Sequence, residues 1–510
     1  MVKTQGKERK ARDTSTVSKG DAAQRFAPNA NSRSTIKKIH STHKPIVVIG
    51  AGVNGSAIAM ELARELKAQK SKQQVILIDL FGYPDPANID NSSRGDTRIT
   101  RMSNAEHPAL THTAIDTARF YTNLQRQFDT SSRTGIQKIA TMLRDRYEST
   151  LMYKPHGFVL TMPRVGKTTP FHGHSDEHGN AYDRTLRNAQ MNGVHHEVMN
   201  GHEFADRFPG FRINKADRDL TDVYYEPPCA EKDERKSKWF PTGGTLFAER
   251  SVAAQLALFE MYGGDFRPHT EVTNAVPDNG DMKVTLADGS TIDASKVVFA
   301  MNKWANPYMP TQFFQVKAQR NVVGFFKGRD MSILSSDGDN PLPSFIVYFR
   351  TKDGSADYAY GIPETKDSIL YKGYFKAARE NGVFGDPTMT KIMPGELNSL
   401  FNFTANFARI NQPKRTKGLV CFYGVSHGGK QVWTKHPMMP NAFIVHNCDG
   451  GGFKHAVGAA RPFARMILGM ESNNPNINLE QDFHMFPDYY KPVHDSKDPH
   501  FAAILKGLTT

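Results

Sequence analysis

The first regular pattern along the chain is Pro45-Ile46-Val47-Val48-Ile49, a β-branched run without polar interruption, of the kind that forms a strand buried on both faces of a parallel sheet. It runs into Gly50-Ala51-Gly52-Val53-Asn54-Gly55 and then into Ser56 to Leu66, where apolar residues recur at helical spacing. The pattern predicts a strand, a glycine turn and a helix. Gly50 suits the tight turn, Gly52 lets the backbone approach a pyrophosphate, and Gly55 lets the helix pack close to the strand. The diphosphate would rest on the unpaired amides at the helix start. A second apolar run, Gln74-Val75-Ile76-Leu77-Ile78, ends in Asp79, where an acid accepts hydrogen bonds from ribose hydroxyls and disfavours a 2′-phosphate. The expectation is a bound dinucleotide. NAD and FAD share this fingerprint.

Composition narrows the class. A chain of 510 residues is long enough for two or three domains, and 38% hydrophobic with 23% charged residues is a globular balance. No apolar run approaches the roughly 18 residues of a membrane helix, so no membrane partner is expected. Cys229, Cys421 and Cys448 are too few and scattered for a disulfide framework, which fits a reducing compartment. Of the net charge of +13, residues 1–44 hold +8, from eleven basic and three acidic side chains. That segment has almost no large apolar residues and reads as a disordered basic tail, with an organelle-targeting leader as the alternative to a cytoplasmic protein. The remaining +5 on the body does not suggest a nucleic-acid partner. His172, His174 and His178 lack a zinc spacing, and no metal is expected. Residues 211–241, with the mixed charges of Glu231 to Lys238, read as a solvated insertion.

Between Asn91 and Arg101 the chain packs Arg94, Asp96, Arg98 and Arg101 into what reads, on composition alone, as a salt-bridged loop. Its Ser-x-x-Gly-Asp-Thr-Arg-Ile-x-Arg pattern resembles the monomeric sarcosine oxidase-like branch of FAD-dependent amine oxidases, which includes N-methyltryptophan oxidase and fructosyl-amino-acid oxidases. Further similar segments are Asn200 to Phe204 with Arg207 to Gly210, and Gly243 to Phe247 as a turn before a helix. Lys296 to Ala300 with Trp304 resembles the last strand of the nucleotide sheet, and Gln319 to Phe326 a central strand of the substrate sheet. The resemblance spans most of residues 45–475. It implies an α/β (α+β overall) fold in which a Rossmann-like FAD-binding domain is interleaved with an antiparallel-sheet substrate domain. The nucleotide parts would be 45–150, 241–310 and 419–475, the substrate parts 151–240 and 311–418, and 476–510 a C-terminal extension.

The same resemblance implies the site. FAD would contact Gly50, Gly52, Gly55, Asp79, Ser92, Arg94, Thr97, Arg98, Gly451, Gly452 and Lys454. Val420-Cys421-Phe422-Tyr423 is similar to the family's motif for covalent flavin attachment at a cysteine sulfur. By its own sequence Cys421 reads equally as a small buried hydrophobe, and Gly424 to His427 depart from the family's continuation. Asp449 to Lys454 is a glycine turn opening a helix, whose bare amides suit an anion. Lys454 and Arg101 would clamp a substrate carboxylate, Arg98 would stabilise the reduced flavin, and Thr97 would hydrogen-bond nearby. The expected partners are a small amine or amino acid with a carboxylate, and molecular oxygen giving hydrogen peroxide, in a monomeric enzyme. The alternative is a dehydrogenase, or a fructosyl-amino-acid type of oxidase, with another acceptor.

Three departures complicate this reading. Gly451 stands where the family has a histidine. In Ser368 to Phe375, read as a strand, an ungapped match puts Tyr371 at the family's oxygen-activating lysine and Lys372 one residue later, on the opposite face, so that either a bulge turns Lys372 to the flavin or that cation is absent and another acceptor takes the electrons. Phe375 replaces a histidine near the substrate. A larger or more apolar amine than sarcosine is therefore expected.

Overall fold

β1 (Ile46–Ile49) is buried at every position, because it lies inside a six-stranded sheet. The structure is a computed structural model that describes residues 43–82, 92–163, 180–228, 240–309, 316–329, 331–338, 340–350, 356–379, 383–386, 388–410, 415–425, 431–446 and 450–471. The tail to residue 42, Asn91, His172, His174, His178, Glu231 to Lys238, Ser426, His427, Cys448, Asp449 and the extension 476–510 lie outside the described residues.

After β1 the chain turns through Gly50 into helix α1 (Val53–Ala68) and returns in β2 (Val75–Ile78), parallel to β1. The sheet order is Val432–Lys435, Ala442–His446, Lys296–Phe299, β1, β2, Asp265–Arg267, with all pairings parallel except the first. Lys296–Phe299 is thus not its last strand. The apolar run Ala442 to Val445 adds a neighbour and Val432–Lys435 closes that edge. Helices α1 and Gly452–Ile467 pack on this sheet in a core with Ile46, Val48, Val75, Leu77 and Val298.

A nine-stranded sheet forms the other main layer. Its pairings are antiparallel apart from Ser344–Arg350 with Phe158–Pro163. One interior strand, Thr221–Glu226, falls within the segment 211–241 expected as a solvated insertion, and its mostly buried side chains correct that expectation for this part. The interior strand Lys317–Lys327 pairs with Arg415–Val425 on one side and with Phe375–Arg379 and Val383–Phe384 on the other. Cys421 therefore pairs with Asn321 in this sheet, so its strand runs across the expected division at residue 419. A second aromatic core including Phe204, Phe211, Phe345, Phe375 and Phe407 packs on the sheet.

The segment expected as an arginine-rich loop contains a strand, β3 (Thr97–Thr100), which pairs antiparallel with Gly244–Phe247. Gly244–Phe247 in turn leads directly into the helix Ala248–Met261. Ser368 to Tyr374 is a turn and not a strand: Ser368 Oγ accepts the amide of Tyr371 at 3.0 Å, and Gly373 takes φ +80°. The strand begins only at Phe375. Among the described residues, no helix is long and apolar enough to cross a membrane, and no group of His, Cys, Asp and Glu is placed to hold a metal ion.

Candidate active site

A cavity of about 850 Å³ is lined from both sheets. At one end stand Gly50, Gly52 and Asp79. Gly50 takes φ +100°, and a Cβ there would come within 2.8 Å of the Ala300 carbonyl. Gly55 lies behind the lining, and a Cβ on it would come 1.8 Å from the Gly50 carbonyl, so glycine alone allows α1 to sit this close to the turn. The α1 start has no side-chain cap from Gly52, and Ser93 Oγ accepts one of its amides, that of Val53, at 2.9 Å. Asp79 braces the turn, its carboxylate accepting the amides of Ala51 at 2.6 Å and Phe81 at 2.9 Å. Burial raises the Asp79 pKa against those two bonds. These groups could hold a dinucleotide, with room for a diphosphate at a helix start and an acid at the end of β2.

The charged groups gather toward the other end. Arg98 donates to the carbonyls of Thr97 at 2.8 Å and Ser92 at 2.7 Å, and also to that of Arg94. A guanidinium held by three carbonyls is a fixed cation in the cavity wall. Gly95 makes the fold-back possible at φ +89°, and Asp96 is held by the amide of Ile369 at 2.8 Å and faces the fully buried Arg250 at 3.7 Å. Arg101 packs over the Phe158 ring, 5.8 Å from its centroid, and pairs with Glu106 at 2.9 Å. Glu106 has 41% of its side-chain surface exposed, but it lines the cavity and so meets the cavity interior. Burial works to raise its pKa, yet Arg101 and Lys454 outweigh that and bring it to about 2. Lys454 itself is buried in the first turn of the helix Gly452–Ile467, whose N-cap Gly451 supplies no side-chain cap. The neighbouring His455 is buried against Thr113 Oγ1 at 3.0 Å. Burial, with Lys454 beside it, holds its pKa well below the usual value.

Of the residues anticipated from sequence, Gly50, Gly52, Asp79, Ser92, Arg98, Arg101, Cys421, Gly451, Gly452 and Lys454 line this one cavity. Gly55, Arg94, Thr97, Tyr371 and Lys372 do not. Arg94 and Lys372 are exposed. Thr97 is buried and contributes its carbonyl, while Tyr371 stacks behind the lining residue Phe325 with centroids 3.5 Å apart. Phe375 faces the aromatic core and stacks on Phe345. Lys376, its neighbour on the strand, points the opposite way into the cavity, where its ammonium donates to the Thr97 carbonyl at 2.6 Å. Burial, with Arg98 nearby, lowers the Lys376 pKa to about 7.

Sequence reasoning missed Lys376, Glu106 and the buried Lys303, whose ammonium lies 3.9 Å from the Phe422 centroid. The signal for Lys376 was a lone cation between apolar neighbours in Phe375-Lys376-Ala377-Ala378. Glu106 carried no signal short of the fold. Tyr360 and Tyr423 also line the cavity, their hydroxyls 2.5 Å apart. Ile346, Tyr358, Val323, Phe325 and Leu419 complete an apolar and aromatic wall.

A family model described as FAD dependent oxidoreductase matches residues 45–466. The chain is 23% identical over 438 residues to a monomeric sarcosine oxidase of Bacillus sp. (strain B-0618), covering 84% of this chain and 93% of that one. Among solved structures it is similar to NikD, described as an unusual amino acid oxidase essential for nikkomycin biosynthesis, with TM-score 0.62 and 15% identity over 86% of this chain and 97% of that chain. It is also similar to a fructosyl amine:oxygen oxidoreductase (Amadoriase I) from Aspergillus fumigatus, with TM-score 0.55 and 15% identity over 86% and 89% of the two chains.

Proposed function

The chain belongs to the FAD dependent oxidoreductase family, and on that premise we propose that it is an amine oxidase acting on the C–N bond of an amino acid or N-alkyl amino acid. The observation that carries this reading is the meeting of Arg101, Lys454 and Glu106 in the cavity that also holds the dinucleotide cradle. The cofactor, when bound, supplies the hydride acceptor. Gly50, Gly52, Asp79 and the α1 start would hold its nucleotide part, and the start of the helix Gly452–Ile467 with Arg98 would face the anionic reduced ring. Cys421, on the cavity wall, is the proposed point of covalent attachment.

Arg101 and Lys454 bind the substrate carboxylate, a two-cation recognition that fixes orientation as well as affinity. Until substrate arrives, Glu106 pairs with Arg101, and its charge also offsets that of Lys454. Holding the acid at one end sets the amine-bearing carbon against the ring, so that positioning supplies much of the rate. The aromatic and apolar wall supports a substrate larger than sarcosine. Lys376 supports oxygen as the acceptor, because it brings to the ring's surroundings the cation that Tyr371 does not.

The purified protein should be yellow, keep its colour with the polypeptide in acid, and release peroxide with some member of a panel of N-methyl and ordinary amino acids. A colourless protein that stays so after soaking in FAD would end this reading. Reduction by substrate without reoxidation by air would replace oxygen with another acceptor. Colour lost to the supernatant in acid would remove the covalent bond alone.

A further inference from the structure

Arg101 stands just beyond the end of β3, in the three-stranded sheet, yet besides Glu106 the groups that hold it come from the nine-stranded one. The chain leaves Arg101 through Met102 and Ser103, and their amides converge on one side chain. Glu226, the last residue of the strand Thr221–Glu226, is fully buried. Its carboxylate accepts the Met102 amide at 2.9 Å, the Ser103 amide at 2.9 Å and the Tyr224 hydroxyl at 3.0 Å. Its cross-strand neighbour is Phe158, over whose ring the Arg101 guanidinium lies. Two adjacent residues of one sheet thus hold the arginine from below, Phe158 through its ring and Glu226 through the backbone that follows. The site is closely walled: a Cβ on Gly243 would come 3.0 Å from Glu226 Oε2.

We propose that Glu226 is a positioning residue for substrate binding, its carboxylate fixing the turn after Arg101 so that the guanidinium meets the substrate's acid. A carboxylate suits the task because it accepts only, and three donors converge on it. Glutamine at 226 would offer one acceptor oxygen and turn N–H donors toward backbone N–H groups, leaving a buried amide without a partner and releasing the turn. The inference rests on Arg101 being a carboxylate ligand.

The test uses the flavin-loaded full chain and reads the change in its visible absorption during titration with benzoate, an unreactive acid, and with benzamide, its uncharged counterpart. Glu226→Gln should weaken benzoate binding by about tenfold, the size expected for one buried donor left unpaired, and leave benzamide unchanged. In an Arg101→Met background the same substitution should bring no further loss. The milder Glu226→Asp, which keeps the charge and withdraws it by one methylene, should lose about threefold for benzoate alone, and it serves if the glutamine variant does not fold. Equal losses for benzoate and benzamide, or a loss that persists in the Arg101→Met background, would reduce Glu226 to a structural residue. Benzoate binding that ignores Arg101→Met would overturn the carboxylate reading itself, and this inference with it, whereas a failure confined to the Glu226 variants would leave that reading standing.

Discussion

The cavity's two ends each present the start of a 16-residue helix without a side-chain cap, but they recognise by different means. At α1 the working groups are backbone: the Gly50 turn, the amides after Gly52, and a carboxylate in Asp79 that braces the turn. At the helix Gly452–Ile467 a lysine stands in the first turn, and it shares its surroundings with Arg101 and Glu106 brought from beyond β3. A backbone cradle is all or nothing, because a side chain at Gly50 or Gly55 collides with main chain. A side-chain cluster is adjustable, because each member changes without moving the others' backbones. The nucleotide end is therefore the rigid part of the site, and the charged end is where this chain differs from the pattern it resembles.

The sharpest break in that contrast is Gly55→Ala. A Cβ only 1.8 Å from the Gly50 carbonyl has no flexible neighbour to yield, so the helix must leave the turn, at a cost of about 3 kcal/mol in stability. The variant should purify without flavin and melt well below the parent. Visible absorbance per polypeptide and thermal unfolding check both. A yellow, stable Gly55→Ala protein would mean that the cradle is not rigid.

The same contrast explains what was legible in the sequence. Gly50, Gly52, Gly55 and Asp79 were readable because the steric demand that makes them glycines, and the strand that carries the acid, are local. Arg101 and Lys454 were readable only through a resemblance, since no local pattern says that segments hundreds of residues apart share a cavity. The reading broke down at Ser368 to Phe375. Treating that segment as a strand put Tyr371 and Phe375 at positions of chemistry, whereas Gly373 at φ +80° makes it a turn and starts the strand later. Once the strand begins at Phe375, alternation sends Phe375 to the core and Lys376 to the cavity. In this stretch the lysine that lines the cavity is thus Lys376, and neither Tyr371 nor Lys372 does, because a turn does not keep the period of a strand.

Lys376→Met is the next test, since it removes a cation from the adjustable end without touching the cradle. Flavin content should stay at the parent's level while reoxidation of the reduced protein by oxygen falls about 100-fold, the scale for removing one preorganised group from a reacting centre. Stopped-flow mixing of reduced protein with oxygen measures it. With a pKa lowered to about 7, Lys376 is charged below that pH and neutral above it. The parent's reoxidation rate should therefore fall as pH rises through about 7, and the variant's should be flat. The same shift has a stability sign. Between pH 7 and 10.5 the unfolded chain holds a proton on this lysine that the folded chain has released. The parent should thus gain stability with rising pH across that window, and Lys376→Met should lose that gain.

The smallest effect expected is also the one that separates the two roles open to Glu106. Its carboxylate already partners Arg101 at 2.9 Å and lies under the influence of Lys454. If it only occupies the clamp until substrate comes, a substrate acid must displace it, and Glu106→Gln should bind benzoate about threefold tighter, the scale of a partly solvated ion pair released from competition. With its pKa at about 2, Glu106 stays ionised throughout the working range. The ratio of affinities between variant and parent should accordingly be constant from about pH 5 to 9 and close only on approach to pH 2, where the parent's carboxyl takes up its proton. If Glu106 instead holds the substrate's amino group, the signs divide. Amino-acid substrates would then show a higher KM in Glu106→Gln while benzoate, which has no amine, still bound more tightly. Comparing the two ligands on one variant thus decides whether the carboxylate gives way to the substrate or stays to grip it.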